Sequence, residues 1–452
     1  MRILVIQFIP ATRGRRVPRF EPQLGTLLSL LEKREHTLSF LGLARFDLNA
    51  VKAALARTLP QLIYADISAV CVDAARRTLE YIEHHEFLPI VAGGAFPTIA
   101  PAESLSLPGV QAVAIGEPDA SLVTYFERMK DPAVGQIVSG VWLRDERGTS
   151  QPDVPPLVED LNSLPFPHRA LFNYADHVRE AGEIEIATSR GNPENCNHTL
   201  NERISRLYQG RGDWVRRRSP GNILAEIAQV RQRHEGVRTV RFFDQAFALD
   251  EEWLTAFLTA YKRQCDLPFR CHLRVQAADE GTVARLAEAG CRLADVEVMS
   301  SSYLIRYEIF GMDLSGEQIR ACFTRLQAAG IRSRAILYLG APYESEASLE
   351  ETRTMLRDLK PDIADLRPYY PWPGSRARDL CQEQGWIHAR GEEQYHNDRC
   401  GIDMPACRPD VVAAALRRLR AEFPAAIDEP WWRRWSQASR TALGQVFRRR
   451  SL

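Results

Sequence analysis

Strand-like and helix-like segments alternate regularly over about the first 130 residues, and this alternation is the most constraining feature of the sequence. Short apolar runs of strand length are separated by longer segments whose apolar residues recur at helical spacing. The strand-like runs are RILVIQ, TLSFLGL, LIYADISAV, PIVAGG and AVAIG, and helical patterns lie near residues 21–34, 47–58 and 72–86. The alternation predicts a doubly wound α/β domain with a parallel, Rossmann-like sheet, whose ligands bind beyond the carboxyl ends of the strands.

A second series of strand and helix patterns follows a predicted hairpin, VSGVWLRDERGTS, and a proline-rich connector. Its strand-like runs are EIEIATS, VRTVRFFD, FRCHLRV, ADVEVMS, RAILYLG and IADLRPYY, with helical patterns near residues 221–234, 251–264, 279–290, 315–329 and 346–359. Six such units predict a second α/β domain, with its functional groups at the carboxyl ends of the strands.

Composition restricts the class of protein and the partners. A chain of 452 residues exceeds what one hydrophobic core usually fills, so we expect two or three domains. Basic and acidic residues number 58 each, which gives no general attraction for nucleic acid or acidic membranes. No apolar run approaches the ~20 residues of a membrane span. The nine cysteines are scattered and odd in number, which favours a reducing cytoplasm over a disulfide framework or zinc site.

Three segments of the first domain carry a family resemblance: EPQLGTLLSLLEKREHTLSFLGL, VAGGAFPTIAPAESL and AVAIGEPDASL. In this order they resemble the cobalamin-binding domain of cobalamin-dependent radical S-adenosylmethionine enzymes. The alternative is a flavodoxin-like domain with glycine turns. The resemblance implies bound cobalamin, without a cobalt-ligating histidine because no D-x-H-x-x-G motif occurs. The implied cobalamin contacts are Leu24, Gly25, Ser68, Gly93, Gly94, Phe96, Pro97, Thr98, Gly116 and Glu117.

The family's iron-sulfur loop is altered in this chain. The stretch SRGNPENCNHT has Asn192, Cys196 and Thr199 where the family has C-x3-C-x2-C, three cysteines that bind a cluster. A neutral amide and a hydroxyl are poor replacements for thiolates on such irons. We therefore expect no iron-sulfur cluster. The resemblance otherwise continues through LYQGRGDWVRRRSPGNILAEI and PYYPWPGS, and it covers roughly residues 1–390. It implies that the six strand-helix units form the partial, TIM-like (β/α)6 barrel of these enzymes.

A second alteration lies after the fourth strand of the predicted barrel. Family members commonly have G-x-E-S there, near S-adenosylmethionine, whereas this chain has Met299 in place of the acidic residue. This leaves open whether S-adenosylmethionine is still bound. The residues that would shape a substrate or S-adenosylmethionine pocket are Asn192, Thr199, Arg274, Ser300, Gly340 and Trp372. The alternative for these residues is structural hydrogen bonding at the barrel mouth.

Three residues are candidates for catalysis. Cys196 and His198 are the soft and imidazole donors of the altered loop, which we expect to line a cavity above the corrin with Asn192 and Thr199. Asp244 follows the second barrel strand and is a candidate base. The alternatives are that Cys196 and His198 are packed structurally and that Asp244 pairs with a neighbouring arginine.

The predicted domains are a cobalamin-binding domain (1–135), a connector (136–180), a partial barrel (181–385) and a C-terminal helical cap (386–452) that includes a tryptophan-rich segment. His388, His396, Cys400 and Cys407 are too loosely spaced for a metal set. The sequence favours a cytoplasmic, cluster-free cobalamin enzyme of specialised natural product biosynthesis that performs non-radical chemistry on a small organic substrate. Polar methyl transfer is the first hypothesis for this chemistry. The alternatives are a cyclisation or rearrangement and a non-catalytic role as a cobalamin-binding partner. The need for a reductase is left open.

Overall fold

The computed structural model describes residues 1–10, 20–131, 137–145, 148–193, 196–245, 247–388, 395 and 397–423. Two large sheets organise the chain. The first sheet has seven strands in the order β2-β1-β3-β4-β5-β6-β7, of which β1 to β5 are parallel and β6 and β7 antiparallel. Its strands are Arg2–Phe8 (β1), Thr37–Leu43 (β2), Leu62–Ile67 (β3), Ile90–Gly93 (β4), Val110–Ala114 (β5), Val141–Asp145 (β6) and Gly148–Ser150 (β7).

Helices cover both faces of the first sheet. They are Pro22–Glu32 (α1), Leu48–Thr58 (α2), Val72–Glu86 (α3), Ala95–Ile99 (α4), Pro101–Leu105 (α5) and Asp119–Met129 (α6). In β1, Ile3 and Val5 pack into one apolar cluster, whereas Leu4 and Ile6 pack into another on the opposite face. Burial on both faces is typical of parallel sheets in doubly wound folds. The predicted mixed α/β class with a parallel sheet is therefore confirmed.

The second large sheet is a six-stranded parallel sheet with the order β15-β14-β13-β12-β11-β8. Its strands are Glu183–Ile186 (β8), Thr239–Phe242 (β11), Phe269–His272 (β12), Cys291–Met299 (β13), Arg332–Leu339 (β14) and Ile363–Pro368 (β15). A small ribbon pairs Ser189–Arg190 (β9) with Arg216–Arg217 (β10). The connector contains two 3-10 turns, Leu161–Ser163 and Ala170–Phe172, and the helix Tyr174–Ala181 (α7).

Most helices of this half begin at a Ser or Asp cap, except the two that follow Leu200 and Arg408. In the helix Glu346–Leu359, for example, Ser345 and Ser348 form a reciprocal capping box. The other helices are Asn201–Leu207 (α8), Pro220–Arg233 (α9), Glu251–Gln264 (α10), Glu280–Glu288 (α11), Tyr303–Glu308 (α12), Gly316–Ala328 (α13), Glu346–Leu359 (α14), Arg376–Glu383 (α15) and Pro409–Glu422 (α16), with a further 3-10 turn at Val275–Ala277. The predicted helical segments agree with these bounds to within about two residues.

The C-terminal helix α16 packs against β15, where the Arg420 guanidinium donates to the carbonyl of Leu366 at 2.6 Å. The tryptophan-rich segment predicted to complete a helical cap lies outside the described residues, as does His396. None of the described helices is both long and apolar enough to cross a membrane.

Candidate functional site

A cavity of about 560 Å³ lies between the carboxyl ends of the first-sheet strands and those of β8 and β11 in the second sheet. This volume is within the range of about 300–1,000 Å³ that is typical of small-molecule sites. Apolar side chains supply much of the wall, including Leu24, Leu27, Ile67, Phe166 and Trp214. The location agrees with the expectation that ligands of doubly wound sheets bind beyond the strand ends.

The predicted cobalamin contacts divide into two groups. Those that line the cavity are Leu24, Ser68, Gly94, Thr98, Gly116 and Glu117. Gly25, Gly93, Phe96 and Pro97 are not among the described lining residues. Phe96 is buried in the apolar cluster of the first sheet, because the helix after Gly94 turns its ring inward.

The glycines of the strand ends make room for side chains of the protein itself. Gly94 has φ of 96°, and a Cβ there would lie 2.9 Å from the Ile67 nitrogen and would clash with the Asp66 carboxylate. At Gly116, with φ of 75°, a Cβ would clash with the Tyr208 hydroxyl. Both positions are in the left-handed region that favours glycine. A larger residue at Gly94 therefore perturbs the fold as well as the cavity.

Two polar groups at the end of β3 face the cavity. Asp66 is half-buried, and burial, reinforced by the charge of Glu21, raises the pKa of its carboxyl to about 7, although Gln7 opposes the shift. The Ser68 hydroxyl is buried and has no hydrogen-bond partner among the described residues. A buried hydroxyl without a partner calls for a ligand or an ordered water.

Glu117 connects the two halves of the molecule. Its carboxylate pairs with Arg190 at 3.0 Å and also with Arg216, and Arg190 pairs in turn with the buried Asp119. Burial opposes the charge of Arg190, but Asp119 and Glu117 outweigh it and raise the pKa of the guanidinium. The predicted cofactor contact Glu117 therefore also holds the β9–β10 ribbon on the first sheet.

The altered loop contributes Asn192 to the cavity wall, and both ends of this amide are engaged. Its Oδ1 accepts from the Arg274 guanidinium at 2.8 Å, and its Nδ2 donates to Gln245 Oε1. The Gln245 amide donates onward to Glu297 at 3.2 Å. This network joins the ends of three strands of the second sheet. Gln245 and Glu297 were not predicted as site residues, although each lies at or just beyond the end of a strand.

Cys196, His198 and Thr199 do not belong to the described lining of the cavity, contrary to the expectation that they line it with Asn192. Cys196 is 5% exposed and packs in an apolar cluster. His198 lies among aromatic rings, with centroids 5.2 Å from Phe310 and 5.0 Å from Tyr369. Burial, reinforced by the charge of Arg367, lowers the pKa of His198 to about 3. The imidazole is thus neutral, and aromatic packing explains its orientation.

Asp244 is buried, and its carboxylate holds the loop that follows β8. It accepts from the Thr188 nitrogen at 2.8 Å and from the Ser189 nitrogen at 2.9 Å, with a further bond from the Ser189 hydroxyl. Among the described residues, Arg241 pairs with Glu185 and Arg274 with Asn192, and no arginine pairs with Asp244. These hydrogen bonds engage the carboxylate that we predicted to act as a catalytic base.

The remaining predicted pocket residues, Ser300, Gly340 and Trp372, lie apart from the described cavity lining. Ser300 is buried, and its carbonyl accepts from Arg306 at 2.7 Å. The Gly340 nitrogen donates to Glu344 at 3.1 Å. Trp372 packs edge-on against two tyrosine rings. The structure therefore joins Arg274 to the cavity-lining Asn192, although Arg274 is not itself among the described lining residues.

The positions of the cysteines and histidines determine whether the described residues can hold a metal ion. All nine cysteines are buried. Within the part of the chain that the structure describes, no three His, Cys, Asp or Glu side chains gather closely enough to hold a metal ion. Burial raises the pKa of both Cys400 and Cys407 to about 12, which keeps these thiols protonated.

Comparisons with known proteins complete the description. No family model matches this chain. It is 24% identical over 378 residues to the anaerobic magnesium-protoporphyrin IX monomethyl ester cyclase of Rubrivivax gelatinosus, covering 80% of this chain and 64% of that protein. The chain thus spans less than two thirds of the length of this relative.

Solved structures of two cobalamin enzymes are similar. The radical S-adenosylmethionine methyltransferase TsrM from Kitasatospora setae, with cobalamin and a 4Fe-4S cluster bound, superposes with a TM-score of 0.66 at 18% identity over 86% of this chain and 79% of that one. OxsB, with aqua-cobalamin and S-adenosylmethionine bound, superposes with a TM-score of 0.63 at 14% identity, over 95% of this chain and 62% of that one. At these identities, the likeness establishes that this chain shares the fold of cobalamin-dependent radical S-adenosylmethionine enzymes.

Proposed function

We propose that this protein is a cobalamin-dependent enzyme of natural product biosynthesis that works without an iron-sulfur cluster and transfers a methyl group to a small organic substrate by polar chemistry. The observation that carries the proposal is the cavity itself. It joins the glycine loops of the first sheet to the altered loop, which presents the amide of Asn192 to the cavity.

The residues of the cavity fit cobalamin in their chemistry. A corrin is a broad apolar disc with a rim of amides, and the cavity offers apolar walls together with the partnerless hydroxyl of Ser68. Thr98, which accepts from the Gly116 nitrogen at 3.0 Å, fixes the shape of the glycine loops. The complete cofactor is larger than 560 Å³, so part of it would lie outside the cavity. When bound, cobalamin supplies a cobalt centre that can carry a methyl group.

The absence of a cluster is supported by what the loop residues do. Both ends of the Asn192 amide are hydrogen-bonded, Oδ1 to the Arg274 guanidinium and Nδ2 to Gln245, so a positive charge lies beside the loop. Cys196 packs in an apolar cluster, and the Thr199 hydroxyl accepts from the Asn201 nitrogen at 3.4 Å. A neutral amide and a hydroxyl are weak ligands for the irons of such a cluster. In this proposal, Asn192 belongs to the wall of the cavity, and its bond to Arg274 fixes the position of its amide.

The proposal retains the division into a cobalamin-binding domain (1–135), a connector (136–180), a partial barrel (181–385) and a C-terminal cap (386–452). The second sheet would form the barrel. The hairpin of β6 and β7 extends the first sheet to Ser150, so this part of the connector packs with the first domain.

A second candidate function is a cobalamin-dependent cyclisation or rearrangement. The relative from Rubrivivax gelatinosus favours it, since its name describes a cyclase that acts on a protoporphyrin ester. A product with no added methyl group, formed only when cobalamin is present, would select this candidate over methyl transfer.

Anaerobic purification followed by three measurements tests the proposal. Absorbance titration with methylcobalamin measures binding, iron and sulfide analysis measures cluster content, and incubation with candidate substrates, with and without S-adenosylmethionine, measures loss of the cobalt-bound methyl group. Ser68→Ala should weaken cobalamin binding, whereas the exposed Ser106→Ala is the matched control. Stoichiometric iron and sulfide contradict the cluster-free enzyme. Binding without turnover of any substrate supports a non-catalytic cobalamin-binding partner.

A further inference from the structure

Two polar side chains lie next to each other at the carboxyl end of the first sheet. Gln7 of β1 and Asp66 of β3 are register partners, and the next residues in the same row are Gly42 of β2 and Gly93 of β4. Adjacent strands are about 4.8 Å apart, and register partners in parallel strands have their side chains on the same face. Gln7 and Asp66 both line the cavity described above. The pair is therefore flanked in its row by residues without side chains, and it borders the cavity.

Gln7 has unused hydrogen-bonding capacity. Its side chain is completely buried, and neither amide atom has a hydrogen-bond partner among the described residues. The amide is near enough to Asp66 to oppose the rise of that carboxyl's pKa, without reaching hydrogen-bonding geometry. The buried hydroxyl of Ser68, which also lines the cavity, is likewise without a partner in the described part of the chain. Since buried polar groups are nearly always hydrogen-bonded, these two side chains call for a polar ligand group or an ordered water at this end of the cavity.

A carboxamide satisfies this set of groups. The Gln7 amide offers donors and an acceptor, the Ser68 hydroxyl offers both, and the Asp66 carboxyl offers an acceptor in either protonation state. The oxygen of a ligand carboxamide can accept from Gln7 or Ser68 while its nitrogen donates to Asp66. An ammonium group has no acceptor for the Gln7 nitrogen, so it satisfies fewer of these atoms. Three rotatable bonds allow the buried Gln7 amide to turn towards a group that lies beside Asp66.

The ionisable groups beside the pair are acidic. Burial, reinforced by the charge of Glu21, raises the pKa of the Asp66 carboxyl to about 7, and Glu21 lines the same cavity at the N-terminus of α1. Tyr64, on the same strand as Asp66, also lines the cavity, and burial raises the pKa of its hydroxyl well above the ordinary value, which keeps it neutral. As pH rises from 6 to 8, Asp66 therefore gains a negative charge on a wall that already contains Glu21.

The positive charges of the cavity wall are already engaged. The described lining contains two arginines, Arg190 and Arg218. Arg190 pairs with Glu117 and Asp119, and Arg218 pairs with Glu226. A ligand carboxylate beside Asp66 would therefore lie next to a second carboxyl, while the arginines of the described lining remain bound to carboxylates of the protein. A neutral carboxamide avoids this repulsion.

We propose that Gln7, Asp66 and Ser68 form a subsite that binds a carboxamide on the rim of cobalamin and rejects a carboxylate in the same position. The proposal rests on the proposed function, because cobalamin is the ligand, and it names the residues that determine which form of the cofactor is accepted. Neither Gln7 nor Asp66 was predicted as a cofactor contact from the sequence.

Absorbance titrations of the full chain with cobalamin and with its monocarboxylic acids test the inference. In each of these acids, one rim carboxamide of the corrin is hydrolysed to a carboxylate. At pH 8, at least one acid should bind about 10-fold more weakly than cobalamin, because its carboxylate meets the ionised Asp66. Gln7→Met should weaken cobalamin binding by about 10-fold, the loss expected for one hydrogen bond. Gln111→Met, at an exposed position of β5, is the matched control and should leave the affinity unchanged.

Asp66→Asn separates the effect of charge from that of shape. The substituted amide still offers an acceptor to the ligand but stays neutral, whereas the carboxylate of the corrin acid is ionised at both pH 6 and pH 8. The preference for cobalamin over that acid should therefore rise between pH 6 and 8 in the wild type and stay constant in Asp66→Asn. An equal rise in both proteins would contradict the role of Asp66.

Stability measurements distinguish ligand binding from a structural role of Gln7. Because its amide has no hydrogen-bond partner in the described part of the chain, Gln7→Met should not lower the free energy of unfolding of the cofactor-free protein in urea. A loss of stability there, or equal binding of cobalamin and all of its monocarboxylic acids at pH 8, would overturn the inference and leave the proposed function standing. No binding of cobalamin by the wild type would contradict the proposed function, and this subsite with it.

Discussion

Replacing Asp244 distinguishes a structural carboxylate from a catalytic base. In Asp244→Ala, the backbone nitrogens of Thr188 and Ser189 lose their acceptor inside the protein. Each buried donor without a partner costs about 1–3 kcal/mol, so the loss of two should total about 2–6 kcal/mol. That is a large fraction of the roughly 5–15 kcal/mol by which folded domains are stable.

Urea denaturation measures this loss, and Asp153→Ala provides the control. Asp153 pairs with Arg211 at 2.8 Å, but its side chain is 85% exposed, so removing it should cost less than about 1 kcal/mol. The loop held by Asp244 carries Ser189 and Arg190, which line the cavity, so cobalamin affinity should fall as well. Unchanged stability together with a turnover reduced by at least ~100-fold would refute the structural role and restore the acid–base hypothesis.

Three further predictions follow from single side chains. The pKa of Asp66 is raised to about 7 in the folded state, so the neutral carboxyl stabilises the fold at low pH and this contribution is lost as pH rises through 7. Between pH 5 and 8, the free energy of unfolding of Asp66→Asn, measured by urea denaturation, should fall less with rising pH than that of the wild type. Equal decreases would contradict the shift. His198→Phe should keep turnover and change stability by less than ~1.5 kcal/mol, because the imidazole is neutral and packed among rings; a 100-fold slower variant would contradict this. Glu117→Gln should destabilise by about 3–5 kcal/mol in urea, because Arg216 then lacks a carboxylate partner and Arg190 keeps only Asp119, whereas a neutral outcome would show that the pairs with Glu117 are dispensable.

Much of the fold was predictable because it is encoded locally. Helices such as Val72–Glu86 and Glu251–Gln264 have apolar residues at helical spacing, and strand Ile90–Gly93 is a short apolar run. The hairpin of residues 141–150 was also predicted. Its addition to the edge of the first sheet was not, because pairing with β5 depends on backbone contacts between segments distant in sequence.

The site was less predictable, because its contacts join distant residues. Glu117 lies 73 residues before Arg190 and 99 before Arg216, and no local pattern indicates these partners. The direction of the His198 side chain likewise depends on the rings of Phe310 and Tyr369, which lie more than 100 residues later in the chain. Asn192 was recognised through its spacing to Cys196, whereas its bond to Arg274 required the folded chain.

Cobalamin and iron content, measured on the same anaerobically purified and reconstituted protein, test the central claim most directly. The account predicts one cobalamin per chain by absorbance titration, with iron and sulfide far below stoichiometric amounts, because Asn192 is committed to Arg274 and Gln245 and Cys196 is packed in an apolar cluster. Stoichiometric iron with a paramagnetic signal on reduction, or no binding of cobalamin, would contradict it.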